Sequence, residues 1–297
     1  MSRPTSKYFI ATKATPNAIL PSLPIIFTNG SSKISINSCS NLLKNTCTID
    51  NFLMIFLYSF IELDSFKEIL TQDTRPQALA LCTFFDKVNS DPSSKNVHRE
   101  RLQWVIKVSP SVKNRPGTQE INLYGNDYDM LQTTLGSLLD LVITIRSLHC
   151  QIQSNERVNQ FIVSGRINAQ YIQRTLEAQW HDQYKKQCEH CSSLVTIDLK
   201  HPPTVIWLHV QGRSSLSASE FPQSISIHSN TYAIRGFIIH RPGHYSSVFR
   251  YREAVFCYDD LKKSSVTPYR GGFMHISAIV LVQVKPAEND NAQCEEI

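Results

Sequence analysis

The sequence lacks a hydrophobic run long enough to cross a membrane. Its most apolar stretch, residues 52–61, is about half of the ~20 residues that a membrane-spanning helix needs. Residues 1–15 also lack the apolar segment of a secretory signal. These two absences predict an intracellular protein, in the cytoplasm or the nucleus, with no membrane partner.

The eight cysteines lack the arrangement of a disulfide framework, which predicts reduced thiols and permits a reactive one. Cys188 and Cys191 form a single CxxC pair, and this pair supplies two of the four ligands that a structural zinc ion normally has. We therefore expect no cofactor and no metal. A zinc ion bound by Cys188 and Cys191 is the alternative.

The chain also lacks the basic density of a dedicated nucleic-acid-binding protein, since its formal net charge is +5 over 297 residues. The most basic stretch, residues 95–115, is typical of the solvated face of a helix. We therefore expect no nucleic-acid partner. The alternative is a fragment of a larger nucleic-acid-binding protein, such as a mobile-element product.

The order of sequence patterns predicts an α+β fold. Bulky apolar residues cover every face of residues 52–63, as in a helix buried inside a core. The second half contains short runs rich in Val, Ile, Phe and Tyr, which indicate antiparallel strands. Helices followed by strands imply an α+β architecture. Further helices are predicted at residues 65–70, 76–88, 97–106 and 128–146, and strands at 194–199, 204–210, 224–228, 232–240, 244–251, 254–258 and 275–284.

Composition divides the chain into three parts. Residues 1–38 are rich in Ser, Thr, Pro, Lys and Asn, which predicts a loose leader. Residues 285–297 are polar and acidic, which predicts a disordered tail. Residues 39–284 contain neither a long linker nor an internal repeat, so we expect them to form one domain.

Cys47 lies at the entrance to the helix predicted over residues 52–63. Unpaired N–H groups at a helix start carry partial positive charge, which favours a thiolate and provides donors for an oxyanion. Later in the chain, His244 opens one predicted strand, and Asp259 and Asp260 close the next. A cysteine, a histidine and an orienting acid together activate a thiol for acyl transfer. The alternatives are a small buried cysteine and a tyrosine-rich hairpin with a surface histidine.

Four segments follow one another along the chain: Asn45-Thr46-Cys47, a strand after a double proline at 201–213, Gly243-His244-Tyr245 with Tyr258-Asp259-Asp260, and a last strand at 277–283. In this order they resemble the cysteine box, the double-proline strand, the histidine box and the closing strand of the ubiquitin-specific proteases, over about residues 39–284. The resemblance implies a papain-like fold with a helical thumb, an antiparallel β palm and reduced fingers. It implies that Cys47 is the nucleophile, that His244 is the base and then the acid, and that Asp259 orients the histidine, with Asp260 as the alternative.

The activity implied by this resemblance is that of a thiol isopeptidase, or deubiquitinase. The enzyme would remove ubiquitin or a ubiquitin-like modifier such as SUMO from its conjugates, and these molecules would be its partners. Gly243, Tyr245 and Tyr258 would line the channel for the C-terminal Gly-Gly of the modifier. The alternative is a weak or inactive module that binds ubiquitin or SUMO.

The sequence departs from the family at the oxyanion position. Leu42 stands where the family usually has an asparagine, five positions before the cysteine. Asn41 and Asn45 are the candidate replacements. Asp50, three positions after the cysteine, resembles the SUMO-directed branch, whose box also has an acid there.

Overall fold

The computed structural model describes most of the chain between residues 23 and 285. Within the described residues there are five helices and fifteen strands. The described residues are 23–28, 34–36, 39–109, 118–139, 141–147, 150, 153–158, 161–164, 172, 174–177, 195–211, 215–217, 221–227, 229–252, 254–262 and 265–285. The helices are α1 (Cys47–Glu62), α2 (Asp64–Gln72), α3 (Pro76–Ser90), α4 (Ser94–Val108) and α5 (Asp127–Leu139). The strands are β1 (Ile34–Ile36), β2 (Cys39–Lys44), β3 (Thr118–Asn122), β4 (Leu141–Ser147), β5 (Gln153–Val158), β6 (Phe161–Ser164), β7 (Val195–His201), β8 (Val205–Gln211), β9 (Ser215–Ser217), β10 (Ser224–Ile227), β11 (Asn230–Arg241), β12 (His244–Tyr251), β13 (Ala254–Tyr258), β14 (Val266–Pro268) and β15 (Phe273–Val284).

The α+β prediction is confirmed, because the five helices all lie in the first half of the chain and a large, mainly antiparallel sheet is built from the second half. The path of this sheet runs β14-β13-β12-β11-β15-β8-β6, with β10 and β9 on its sides. Two three-stranded sheets, β1-β2-β3 and β5-β4-β7, accompany it. Among the described residues, no helix combines the length and the apolar character needed to span a membrane.

Helix α1 is the centre of the hydrophobic core. It begins at Cys47, five residues before the predicted apolar run, because the polar first turn is buried as well. Its residues from Cys47 to Phe60 are all buried, since the helix packs on β11 and β12 on one side and on other helices on the other. The continuous apolar pattern of this segment therefore reflects contacts on all sides.

A glycine allows α1 to approach the sheet closely. Gly236 of β11 has the Cδ1 atom of Ile55 and the carbonyl oxygen of Val248 at 2.7 and 2.8 Å from the position that a Cβ atom would take. No side chain fits at that position without a shift of the helix or the strand. The register of β11 against β15 also slips between Ile234 and Gly236.

The helix predicted over residues 128–146 is wrong in its second half. Helix α5 ends at Leu139, and Leu141–Ser147 forms strand β4, which pairs with β5 and β7. The segment Val142-Ile143-Thr144-Ile145 consists of β-branched residues, which favour a strand. Asp140 alone separates the apolar residues at the end of α5 from those of β4, and this near-continuity conceals the boundary.

Part of the predicted loose leader is packed into the core. Residues 23–28, which we call the N-terminal strap, bury Ile25 and Phe27 at 1% and 0% exposure. The hydroxyl of Tyr58 accepts a hydrogen bond from the Ile25 N–H at 3.1 Å and donates one to the Ile25 carbonyl at 2.5 Å. The alternation of apolar residues at Leu23, Ile25 and Phe27 explains this packing. Residues 1–22 and 286–297, and hence nearly all of the predicted acidic tail, lie outside the described residues.

Candidate active site

A hairpin brings His244 and Asp259 together. Strands β12 and β13 pair antiparallel, so the start of β12 lies next to the end of β13. His244 Nε2 and Asp259 Oδ1 are 2.8 Å apart, and Lys262 Nζ is 3.3 Å from the other carboxylate oxygen. Burial raises the pKa of the Asp259 carboxyl, but the hydrogen bond and charge of His244 and the contact with Lys262 outweigh it, and the net pKa is lowered. Asp259 is therefore an anion that holds the imidazole by Nε2.

Asp260 lies behind this pair and does not replace Asp259. Its Oδ1 is 3.8 Å from His244 Nε2, which is beyond hydrogen-bond distance. Its side chain is 0% exposed, and neither carboxylate oxygen has a hydrogen-bond partner among the described residues. Burial, followed by the charges of Asp50 and Asp259, raises its pKa to about 7.

Cys47 lies beside the histidine strand. It is the first residue of α1, and it is 9% exposed. The backbone N–H of Tyr245 donates a hydrogen bond to its thiol, and Tyr245 directly follows His244. The structure thus brings together the three residues that the sequence analysis assigns to the triad.

The expected effect of the helix start on the thiol is outweighed. Burial raises the pKa of the Cys47 thiol, and the negative charge of Asp260 raises it further. The hydrogen bond from the Tyr245 N–H lowers the pKa but does not outweigh burial, so the net pKa is raised. The resting sulfur is therefore a neutral thiol that needs a base. Because Nε2 of His244 binds Asp259, Nδ1 is the ring nitrogen that remains for this task.

Asn51 is a residue of the site that the sequence analysis missed. Its Nδ2 donates to the carbonyl oxygens of Cys47 at 2.6 Å and of Tyr245 at 3.0 Å. The asparagine is fully buried, so both donors are shielded from water. One side-chain amide thereby fixes the backbone next to the thiol and the backbone next to the histidine. The sequence signal for this role was an amide directly before the apolar run of the helix. A buried amide is usually hydrogen-bonded.

A buried ion pair lies under the first turn of α1. Arg101 and Asp50 are both 0% exposed, and Arg101 NH1 is 2.6 Å from each carboxylate oxygen of Asp50. Arg101 also donates to the Thr28 carbonyl of the N-terminal strap at 3.0 Å. The basic stretch at 95–115 is therefore not simply a solvated face, because one of its cations belongs to the core. Residues 110–117 lie outside the described residues.

The two candidate oxyanion residues lie in different surroundings. Asn45 adopts a left-handed backbone conformation with φ 54°, and its Nδ2 donates to Asn122 Oδ1 at 2.8 Å. Asn41 is 1% exposed and lies within β2, paired with Ile34 on one side and Gln119 on the other. The Asn45 amide is thus already hydrogen-bonded, and Asn41 is buried within its sheet. The backbone N–H groups in the first turn of α1 also lie next to Cys47, and they are further candidate donors for an oxyanion.

The predicted channel residues divide into two groups. Gly243 is exposed in the turn between β11 and β12, with φ +74°, and it leaves open space where a Cβ would stand. Tyr245 is 9% exposed; its hydroxyl accepts from the Asp127 N–H at 3.3 Å and its ring stacks on His240. Tyr258 does not line a channel, because it is 0% exposed and its hydroxyl donates to the Phe27 carbonyl at 2.9 Å. Its role is to attach the N-terminal strap to the strand that precedes Asp259.

The predicted zinc pair, Cys188 and Cys191, lies outside the described residues. In the part of the chain that the structure describes, the group of side chains that can hold a metal is His244, Asp259 and Asp260. Their ligand atoms lie within 4.8 Å of one another.

Two solved structures of the papain-like protease of Middle East respiratory syndrome coronavirus align with the chain. The first has a TM-score of 0.40 and 11% identity, and covers 88% of this chain and 70% of the viral one. The second has a TM-score of 0.38 and 10% identity, and covers 86% and 70%. At these values the likeness does not establish a common fold.

No protein of curated function matches the sequence. A family model does: the model described as dopamine receptor-interacting protein 1 matches residues 29–285. This match covers most of the chain and includes the cysteine, the histidine and the two acids of the site. The chain therefore belongs to the dopamine receptor-interacting protein 1 family.

Proposed function

We propose that the chain is a thiol isopeptidase with a papain-like fold, which removes ubiquitin or a ubiquitin-like modifier such as SUMO from its conjugates. The observation that carries this proposal is the contact between the Tyr245 N–H and the Cys47 thiol, next to a histidine that Asp259 holds at 2.8 Å. The choice of modifier rests on the order of the sequence boxes that resemble the ubiquitin-specific proteases.

The chemistry follows from the protonation states of the site. Nδ1 of His244 takes the proton of the Cys47 thiol as the sulfur attacks the glycyl carbonyl carbon of the modifier. The imidazolium is stabilised by the Asp259 carboxylate, and it then protonates the leaving lysine amine. Water, deprotonated by the same nitrogen, releases the modifier from the sulfur. The neutral resting thiol makes the histidine essential to the first step.

Covalent labelling tests this proposal. Ubiquitin and SUMO that carry a C-terminal vinyl sulfone are expected to label the wild-type protein, and Cys47→Ala and His244→Ala are expected to lose the labelling. Cys257→Ala is the matched control, because Cys257 is a half-buried cysteine of β13 and is not expected to react. A folded wild-type protein that no modifier probe labels contradicts the proposal.

A second function, binding of the modifier without turnover, is favoured by one observation. Leu42 stands at the family's oxyanion position, and the amide of Asn45 is already bound to Asn122. Loss of an oxyanion donor typically costs about 2.7–4 kcal/mol of transition-state stabilisation. The name of the protein's family, dopamine receptor-interacting protein 1, refers to interaction and not to catalysis, and also fits this function.

Turnover separates the two functions. An isopeptidase hydrolyses a fluorogenic modifier conjugate, and Cys47→Ala abolishes the hydrolysis while modifier binding persists. A binding module shows the same affinity for the modifier in wild type and Cys47→Ala, and no hydrolysis in either.

A further inference from the structure

His244, Asp259 and Asp260 form a compact set of metal-ligand atoms. The Nε2 atom of His244 is 2.8 Å from Asp259 Oδ1 and 3.8 Å from Asp260 Oδ1, and all three ligand atoms lie within 4.8 Å of one another. Imidazole nitrogen and carboxylate oxygen bind Zn²⁺ at about 2.0–2.2 Å, which puts the ligands of a tetrahedral ion about 3.4 Å apart. The distances from His244 Nε2 to the two carboxylate oxygens, 2.8 and 3.8 Å, lie on either side of this ligand–ligand distance.

The state of Asp260 points independently to a ligand. Its carboxyl is fully buried, it faces the histidine ring, and neither oxygen has a hydrogen-bond partner among the described residues. A carboxylate in this state is costly unless a cation or a proton compensates it. The charge of Arg101 partly opposes the rise in the pKa of Asp260, but the NH1 group of this arginine is bound to Asp50.

The two acids have few cationic partners. Among the described residues, the salt-bridge partner of Asp259 besides His244 is Lys262, whose Nζ lies 3.3 Å from the outer oxygen Oδ2. No salt bridge joins Asp260 to a lysine or an arginine within the described residues; its ion-pair contact is with His244. A divalent cation between the imidazole and the two carboxylates neutralises both acids at once.

We propose that His244, Asp259 and Asp260 bind a divalent transition-metal ion of the Zn²⁺ class, with water in the remaining coordination position. The ion takes the place of the proton between His244 Nε2 and Asp259. A neutral imidazole that binds a metal through Nε2 carries its proton on Nδ1. Nδ1 then has no lone pair for the thiol proton of Cys47, so the metal-bound site is inactive. This last consequence rests on the proposed isopeptidase function, whereas the binding itself does not.

Metal binding is tested on the full chain after treatment with a chelator and removal of the chelator. Co²⁺ is titrated first, because nitrogen–oxygen coordination gives weak visible bands without the strong near-ultraviolet thiolate band that Cys188 and Cys191 would produce. Zn²⁺ is then titrated by calorimetry. We expect one nitrogen–oxygen site in the wild type, with affinity reduced more than about 10-fold in Asp260→Asn and in His244→Gln. Asp64→Asn, at an exposed acid of α2, is the control and is expected to bind as the wild type does.

Equal affinity in wild type and Asp260→Asn, or a spectrum of thiolate ligands alone, overturns the proposed site. Circular dichroism verifies that each variant is folded. If Asp260→Asn does not fold, Asp260→Ala serves as the second variant.

The regulatory step is measured by alkylation of Cys47 with iodoacetamide, a small reagent that does not require modifier recognition. Labelling of the wild type is expected to slow at least about 10-fold with saturating Zn²⁺, and the ratio of rates with and without Zn²⁺ is expected to approach one in Asp260→Asn. An unchanged wild-type rate under saturating metal overturns metal control of the thiol. Failure of the isopeptidase function appears differently, as absent vinyl-sulfone labelling in metal-free protein whose Zn²⁺ site is intact.

Discussion

The side-chain amide of Asn51 donates a hydrogen bond to the carbonyl oxygen of Tyr245 at 3.0 Å, across 194 positions of sequence. The same nitrogen donates to the Cys47 carbonyl at 2.6 Å. Tyr245 in turn offers its own N–H to the Cys47 thiol. The first turn of α1 and the first residues of β12 are therefore joined in both directions, and the thiol cannot move away from the histidine without breaking a buried bond.

The substitution Asn51→Leu tests this hydrogen-bonded connection between α1 and β12. Leucine keeps the size of the side chain but has no donor, so two buried carbonyls each lose a side-chain hydrogen bond. We expect the stability to fall by about 1–3 kcal/mol and modifier-probe labelling of Cys47 to slow by about 100-fold, since small misplacements of reacting groups have effects of that size. Rates are measured well below the unfolding transition. Asn89→Leu, on the exposed face of α3, is the control; labelling of Asn51→Leu at the control's rate contradicts a positioning role.

The N-terminal strap is expected to carry much of the stability of the helical half. Phe27 is 0% exposed and stacks on Phe84, and its carbonyl accepts from Tyr258. Phe27→Ala is expected to lower the free energy of unfolding by about 3–5 kcal/mol, the usual cost of removing a buried aromatic ring. Its neighbour Ile26 is 38% exposed, and Ile26→Ala is expected to stay within about 0.5 kcal/mol of wild type. Urea unfolding measures both, and similar midpoints for the two variants would show that the strap is not part of the core.

His98 makes the stability of the strap depend on pH. Its Nδ1 is 3.1 Å from Arg101 NH2 and its Nε2 is 3.2 Å from the Thr28 hydroxyl, so the ring accepts from arginine and is neutral. Burial and the Arg101 charge lower the pKa of His98. The unfolded chain, with a histidine pKa near ~6.5, therefore binds the proton first as the pH falls.

The stability that the neutral His98 ring provides is complete above about pH 6.5 and decreases as the pH falls below that value. We expect the urea midpoint of the wild type to fall more between pH 7.5 and pH 5 than that of His98→Gln. His275→Gln, at an exposed histidine of β15, should retain the wild-type slope. Parallel curves for wild type and His98→Gln would mean that the ring is not neutral in the folded protein.

The parts of the fold that were predicted correctly depend on local patterns. Helix α3 begins at Pro76 as expected, because proline suits the first turn of a helix and no other. Strands β12 and β13 carry alternating or continuous apolar residues bounded by turn residues, and both were found at their observed bounds. Strand β4 was mistaken for helix, because a short, largely apolar segment does not by itself distinguish the two structures.

The sequence analysis predicted those residues of the candidate site that lie in recognisable motifs. Cys47, His244 and Asp259 each lie in a segment with a recognisable order of residue types. Asn51 has no such motif, and its role depends on a partner that only the folded chain brings near. The strap was misread for a related reason, since the polar composition of residues 1–38 as a whole concealed the two apolar residues that are buried, Ile25 and Phe27.

The close approach of α1 to β11 predicts a specific coupling between Gly236 and Ile55. A Cβ atom at position 236 meets the Ile55 Cδ1 atom at 2.7 Å and the Val248 oxygen at 2.8 Å. Gly236→Ala is therefore expected to destabilise the protein by about 1–3 kcal/mol through overpacking. Ile55→Val alone removes a buried methyl group, which costs about 0.5–1.5 kcal/mol.

Because valine lacks the Cδ1 atom, the two substitutions relieve each other in part, and the double variant should be more stable than the sum of the single effects predicts. The relief is incomplete, since the Val248 oxygen stays in place and valine keeps the Cγ1 atom, which lies at 2.9 Å from the same position. A double-mutant cycle in urea measures the coupling, which we expect to be favourable by at least about 0.5 kcal/mol. If the two effects simply add, α1 does not rest on Gly236, and the position of Cys47 at the end of that helix must be fixed by other contacts.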